Sequence, residues 1–272
     1  MQIVDVVLTE VTGVFPPSGQ VQEERRVDPL DVYEDEEVAP RPPQPPAPAA
    51  LAEHRAVFLE VRTDEGIDGL FGPVDGPHAP ILRRQMRPYL LGRDPLAIEA
   101  IWDRLYRRDR HARSGYYMMA MSALDCALWD LKGKVLGQPV YRLLGGPTRT
   151  RVPAYASMLG FSLEPELLAR RAAEFHHLGY AAQKWFFRWG PRHGAEGAAR
   201  NVAMVRTLRE TLGDTTSLMF DAFNSWDVPY AVEVGRRIAE YRPAWLEEPV
   251  SVDRLNALQT IRARSGVPIA TG

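Results

Sequence analysis

Asp221 follows the apolar run SLMF and Glu247 follows AWL, 26 positions later. Each acid stands at the C-terminal end of a short buried-strand pattern, the place where parallel barrels assemble their sites. Lys184, in AAQKWFF, occupies the corresponding place one strand earlier. Carboxylates converging there, without histidine or cysteine ligands beside them, suit a hard, oxygen-preferring ion, Mg²⁺ ahead of Mn²⁺. Each residue alone could be an ordinary rim charge, but Lys, Asp and Glu on three successive strand ends point to one shared site. A further strand-like run, VPIATG, ends at Gly272, 25 residues beyond Glu247. The next position in that rhythm would carry a third ligand, and the sequence stops short of it.

The elements that must position these residues alternate strictly. Strand VPAYAS leads to a helix over about 164–177, AAQKWFF to one around 196–212, and SLMF to one around 228–240. AWLEE, a helix around 252–264 and PIATG complete the series. Strand ends spaced 26 to 37 residues apart are the rhythm of βα units, which right-handed crossovers lay side by side in a parallel sheet. Five such strands are visible where a closed barrel needs eight. Upstream, residues 2–14 and 56–63 read as strands, and TDEGIDG after them as a turn. The pattern is helical from about 79 to 136. Its clearest helix has Met121, Leu124, Leu128, Leu131 and Val135 stepping by three and four, Ser114 as N-cap and Gly137 as the stop. The fold class is therefore α/β: an α+β domain over 1–145, then an incomplete (β/α) TIM-type barrel over 146–272. A proline-dense loop at 38–50 reads as an exposed insertion between strands or as a proline-recognition ligand.

The totals exclude several classes. A net charge of −2 with no basic run argues against a nucleic-acid partner. The single cysteine, Cys126, rules out an intrachain disulfide framework and reads as packing on an apolar helix face. No stretch of eighteen apolar residues and no secretory signal pattern is present, so the expectation is a soluble cytoplasmic protein without a membrane partner.

The stretch MSALDCALWDLKGKVLGQPVYRLLGG, the G-Y-x-x-x-K-x-F pattern from Gly179 to Phe186, MFDAFNSWD and WLEEP together resemble the mandelate racemase/muconate lactonizing enzyme branch of the enolase superfamily. The resemblance runs from the first strand to Gly272. It implies an N-terminal capping domain, a (β/α)₇β barrel, and one Mg²⁺ held by three carboxylates, of which Asp221 and Glu247 are the first two. It implies as well that the chain is C-terminally truncated and that the full-length protein is a homo-oligomer. The shared chemistry is removal of the proton α to a carboxylate, and Lys184 matches a lysine that stabilises the resulting charge.

Departures from the family pattern refine this. Phe186 stands where many racemases and cycloisomerases carry a second lysine as base, and phenylalanine cannot move a proton. That loss, with Trp185, Arg188 and Trp189 nearby, points to a sugar-acid dehydratase that expels the β-hydroxyl to give a 2-keto-3-deoxy acid. Phe223 replaces a common polar residue, leaving Asn224 as a polar contact. Trp185, Phe186 and Phe223 read equally as barrel packing. His193, in the loop after the second strand, is either near the mouth or solvated. The loop GVFPPSGQ and the stretch 109–117 are candidates for specificity, with Arg113, Tyr116 and Tyr117 as substrate contacts or as packing. Two rivals stay open: a racemase or epimerase using other bases, and a catalytically inactive fragment.

Overall fold

The computed structural model describes residues 1–15, 23–33, 52–74, 76–110 and 113–272. The proline-dense loop, Pro16–Gln20 of GVFPPSGQ, and His111 and Ala112 of the 109–117 stretch lie outside them. The described residues form two compact units, one drawn from Met1–Ser18 and Ala49–Val152, the other from Gly19–Pro48 and Pro153–Gly272.

In the first unit, β1 (Ile3–Phe15), β2 (Ala52–Thr63) and β3 (Gly69–Phe71) form an antiparallel sheet in that order. The alternation at 57–61 has its expected result, with Leu59 and Val61 fully buried. α1 (Ile98–Arg108) and α2 (Gly115–Leu136) join this core through Ile101, Leu105, Met121, Leu124, Leu128 and Leu131, and Leu82, Met86 and Leu90 add to it. Gly137 ends α2 in the left-handed conformation, which glycine adopts without steric cost.

Three local expectations need correction. Ser114 occupies the N-cap position, but its side chain makes no capping bond. Cys126 is exposed on α2 instead of packed. The third strand, β3, starts at Gly69, the last residue of the segment read as a turn. It pairs with β2 and lies close against α2: a Cβ on Gly69 would lie 2.1 Å from the Ala127 carbonyl oxygen. α2 also binds the strand through side chains, since Asp130 accepts the Leu70 N–H at 2.8 Å and Lys134 donates to the Asp68 carbonyl at 2.7 Å.

In the second unit, β4 (Ala156–Ser157), β5 (Ala182–Phe186), β6 (Ser217–Asp221), β7 (Trp245–Glu247) and β8 (Ile269–Ala270) form one parallel sheet in sequence order. Between them run α3 (Pro165–His177), α4 (Gly194–Leu212), α5 (Val228–Ile238) and α6 (Leu255–Ser265). The core of this unit includes Trp185, Leu218, Phe220 and Leu246 from the strands and Phe187 just past β5. Leu168, Val205, Leu208, Val234 and Ile261 join them from the helices.

Two features outside the periodic pattern hold the unit together. The guanidinium of Arg209 donates to the carbonyls of Gly213, Thr216, Tyr241 and Arg242, tying the turn before β6 to the turn before β7. The segment 23–33, far upstream in sequence, packs here as well. The Val27 N–H donates to the Phe187 carbonyl at 2.7 Å, and its side chain is fully buried.

Substituting Gly69→Ala forces α2 and β3 apart. Urea unfolding followed by tryptophan fluorescence should show a loss of about 1–3 kcal/mol, the usual cost of overpacking.

Candidate active site at the strand ends

Parallel register brings the chemistry together. Phe186 pairs with Asp221 and Asp221 with Glu247 across three adjacent strands, so alternate residues share a face. On that face the Lys184 ammonium donates to Glu247 Oε1 at 2.8 Å and to Asp221 Oδ2 at 3.2 Å. The side chains of Lys184 and Asp221 are 11% and 8% exposed and that of Glu247 is 24% exposed. The ion pairs are therefore largely shielded from water, and screening by salt reaches them only weakly. Burial is the largest influence on Lys184 and works to lower its pKa. The hydrogen bonds to Glu247 and Asp221 and the charges of the two carboxylates together outweigh it and hold the ammonium above the ordinary lysine range.

Both carboxylates are held by further donors. Asp221 Oδ1 accepts the Phe223 N–H at 2.9 Å, and Glu247 Oε2 accepts the indole N–H of Trp245 at 2.8 Å. The backbone just past β6 and β7 is unusual: Phe223, Asn224 and Glu248 have φ of 47°, 57° and 43°. Left-handed non-glycine residues cost of order 1–3 kcal/mol each, and such positions cluster at functional sites. Here they are clamped to one another, since Asn224 donates through its backbone to the Glu248 carbonyl at 2.7 Å. Its side-chain amide also donates to Glu248 Oε2, at 3.0 Å.

Of the expected site residues, the structure gathers Lys184, Asp221 and Glu247. Asn224 is in the loop that follows Asp221, bonded to Glu248. Trp185 points to the opposite face of the sheet, fully buried, with its indole N–H donating to Gln183 at 3.0 Å; a substrate contact there is corrected to packing, because neighbours along a strand face opposite ways. Phe186 is likewise fully buried. His193 lies in a single 3₁₀ turn, and its Nδ1 accepts the Gly190 N–H at 3.2 Å. Tyr116 belongs to the other unit, where it is exposed on α2 with its ring 5.7 Å from that of His78.

Sequence reading missed Trp245 and Arg26, whose guanidinium lies over the Phe223 ring. Trp245 was detectable, because it stands two residues before Glu247 on the same strand and must share its face. Arg26 carried no such signal.

The donor set fits a hard divalent cation in kind: two carboxylates on adjacent strand ends, side by side, already gathered around a positive charge. Among the described residues no group of three His, Cys, Asp or Glu side chains is placed to hold a metal; Asp221 and Glu247 are the two carboxylates brought side by side here. Among the same residues no helix is long and apolar enough to cross a membrane.

Comparison with known proteins agrees with this architecture. Residues 31–145 match the mandelate racemase/muconate lactonizing enzyme N-terminal domain and residues 167–272 match the enolase C-terminal domain-like family. The chain belongs to the mandelate racemase/muconate lactonizing enzyme family of the enolase superfamily. It is 32% identical over 221 residues to a D-galactonate dehydratase of Ralstonia nicotianae, covering 80% of this chain and 58% of that protein. It is 34% identical over 199 residues to an L-rhamnonate dehydratase of Saccharopolyspora erythraea, covering 72% and 48% respectively. A crystal structure of a racemase from Streptomyces coelicolor A3(2) with bound magnesium superposes with a TM-score of 0.74 at 29% identity, covering 99% of this chain and 69% of that one. The chain thus spans about half the length of the curated relatives it matches.

Replacing Lys184→Met leaves two largely buried carboxylates facing each other. Denaturant unfolding should register a loss of about 3–5 kcal/mol, the cost of breaking a buried pair on one side only. The double variant Lys184→Met/Asp221→Asn should recover part of it.

Proposed function

We propose that this chain carries the Lys184, Asp221 and Glu247 part of an acid-sugar dehydratase. The observation that supports the reading most directly is the Lys184 ammonium shared between two carboxylates on adjacent strand ends. Sequence similarity to galactonate and rhamnonate dehydratases supports the substrate class, a polyhydroxylated carboxylic acid. The reading includes a cytoplasmic setting and a small-molecule partner.

In this scheme the proton on the carbon next to the substrate carboxylate leaves first. The resulting enediolate expels the β-hydroxyl, which departs as water once protonated, and the enol ketonises to a 2-keto-3-deoxy acid. Asp221 and Glu247 would hold Mg²⁺, with Mn²⁺ as substitute, and the bound cation supplies Lewis-acid stabilisation of the enediolate oxygens. Lys184 adds a fixed positive charge facing the same oxygens. Such a pre-oriented charge in a water-poor site costs no reorganisation when negative charge develops. The buried phenyl ring of Phe186, two residues on, has no proton to exchange. This favours elimination over lysine-based racemisation at that position.

Incubation with D-galactonate, L-rhamnonate and related sugar acids plus Mg²⁺ should yield a 2-keto-3-deoxy acid, read as semicarbazone absorbance and suppressed by EDTA. Lys184→Met should lower turnover by about 10²–10³-fold, as expected for loss of one electrostatic contact to a developing oxyanion. Asp221→Asn and Glu247→Gln should abolish it. Solvent deuterium entering the α position of recovered substrate, with no keto acid formed, would assign a racemase or epimerase instead.

A further inference from the structure

Glu247 receives two donors that differ in kind. Oε1 accepts from the Lys184 ammonium at 2.8 Å and Oε2 from the neutral indole N–H of Trp245, also at 2.8 Å. Trp245 and Glu247 are two residues apart on β7 and share its face, so the indole sits one layer below the carboxylate. The indole is itself braced: the Tyr155 ring meets it edge-on, with centroids 6.3 Å apart and an interplanar angle of 80°. The Lys184 Nζ lies 6.0 Å from the centre of that Tyr155 ring. An ammonium on a flexible stem attracts a carboxylate without fixing its plane, whereas a rigid indole donor with one N–H direction fixes both the rotamer and which oxygen is engaged.

We propose that Trp245 is a positioning residue that orients Glu247 for a divalent cation, leaving Oε1 as the oxygen turned toward Asp221. The inference rests on the proposed cation-binding function of Asp221 and Glu247. An indole does this without adding positive charge beside the cation, so it orients the ligand without competing for it electrostatically. Partners of this kind around metal ligands are worth 10–100-fold in affinity.

The test is titration of the 272-residue protein and its Trp245→Phe variant with Mn²⁺, followed by electron paramagnetic resonance of the free ion. Phenylalanine keeps a ring in the layer and removes the donor. The variant should bind Mn²⁺ about 10–100-fold more weakly, and Trp245→His, which retains a ring N–H, should recover part of the loss. A parallel readout needs no variant of Trp245. In ¹⁵N-labelled protein one indole N–H resonance should move when Mg²⁺ is added, and the same resonance should move upfield in Glu247→Gln. Unchanged Mn²⁺ affinity in Trp245→Phe, with the unsubstituted protein binding the ion, would overturn the positioning role and leave the proposed function standing. No Mn²⁺ binding by the unsubstituted protein would overturn both. An indole resonance indifferent to Glu247→Gln would overturn the positioning role even if Trp245→Phe failed to fold.

Discussion

Everything at the strand ends depends on one constraint: three adjacent parallel strands in a register that places Lys184, Asp221 and Glu247 on the same face. Side chains alternate along a strand, so a one-residue slip of β6 or β7 would drive a carboxylate into the apolar layer beneath the helices. The penalty for such a slip is that of burying an unpaired charge. The charged cluster therefore helps specify the sheet even though desolvation offsets much of its attraction. Packing on the other face enforces the same register, because Trp185, Phe187, Phe220 and Leu246 fit among the helices only when the charged residues point away.

The strand ends have a second layer of order in their backbone. Phe223, Asn224 and Glu248 hold left-handed conformations, and hydrogen bonds between the loops after β6 and β7 keep them there. A loop under such strain is rigid in the direction its clamps oppose. The polar groups beyond the two carboxylates are thus presented by a stiff rim, a suitable base for a site that must meet developing charge without rearranging.

Much of this was legible in the sequence, for identifiable reasons. The β5 to β8 series announced itself because short apolar runs alternated with helical periodicity, and the acids ending two of those runs marked the site. Trp185 was ambiguous because a strand buried on both faces shows no polar and apolar alternation, so AQKWF does not reveal which way each side chain points. β3 was hidden because three residues carry no period, and its partners are β2 and, at Gly69, α2, which lie elsewhere along the chain. Ser114 had the right type at the right place, yet position alone does not aim a hydroxyl. Arg209 and the 23–33 segment were invisible because their contacts are with backbone carbonyls, which no pattern of side-chain types encodes.

That last segment has a consequence for how the chain is made. Val27 and Phe187 are neighbours in the folded protein but stand 160 residues apart along it. On a ribosome, Val27 emerges long before Phe187, and the larger part of the first unit, Ala49–Val152, is synthesised in between. The second unit thus takes in its oldest residues, which reach their place against Phe187 only after that part of the chain has been made. Closing so long a loop is costly in entropy but only logarithmically so; the heavier demand is kinetic, since contacts of high sequence separation form slowly. A cut after position 48 or after Val152 would separate Val27 from Phe187, so the division into two units has no counterpart as one boundary in the gene.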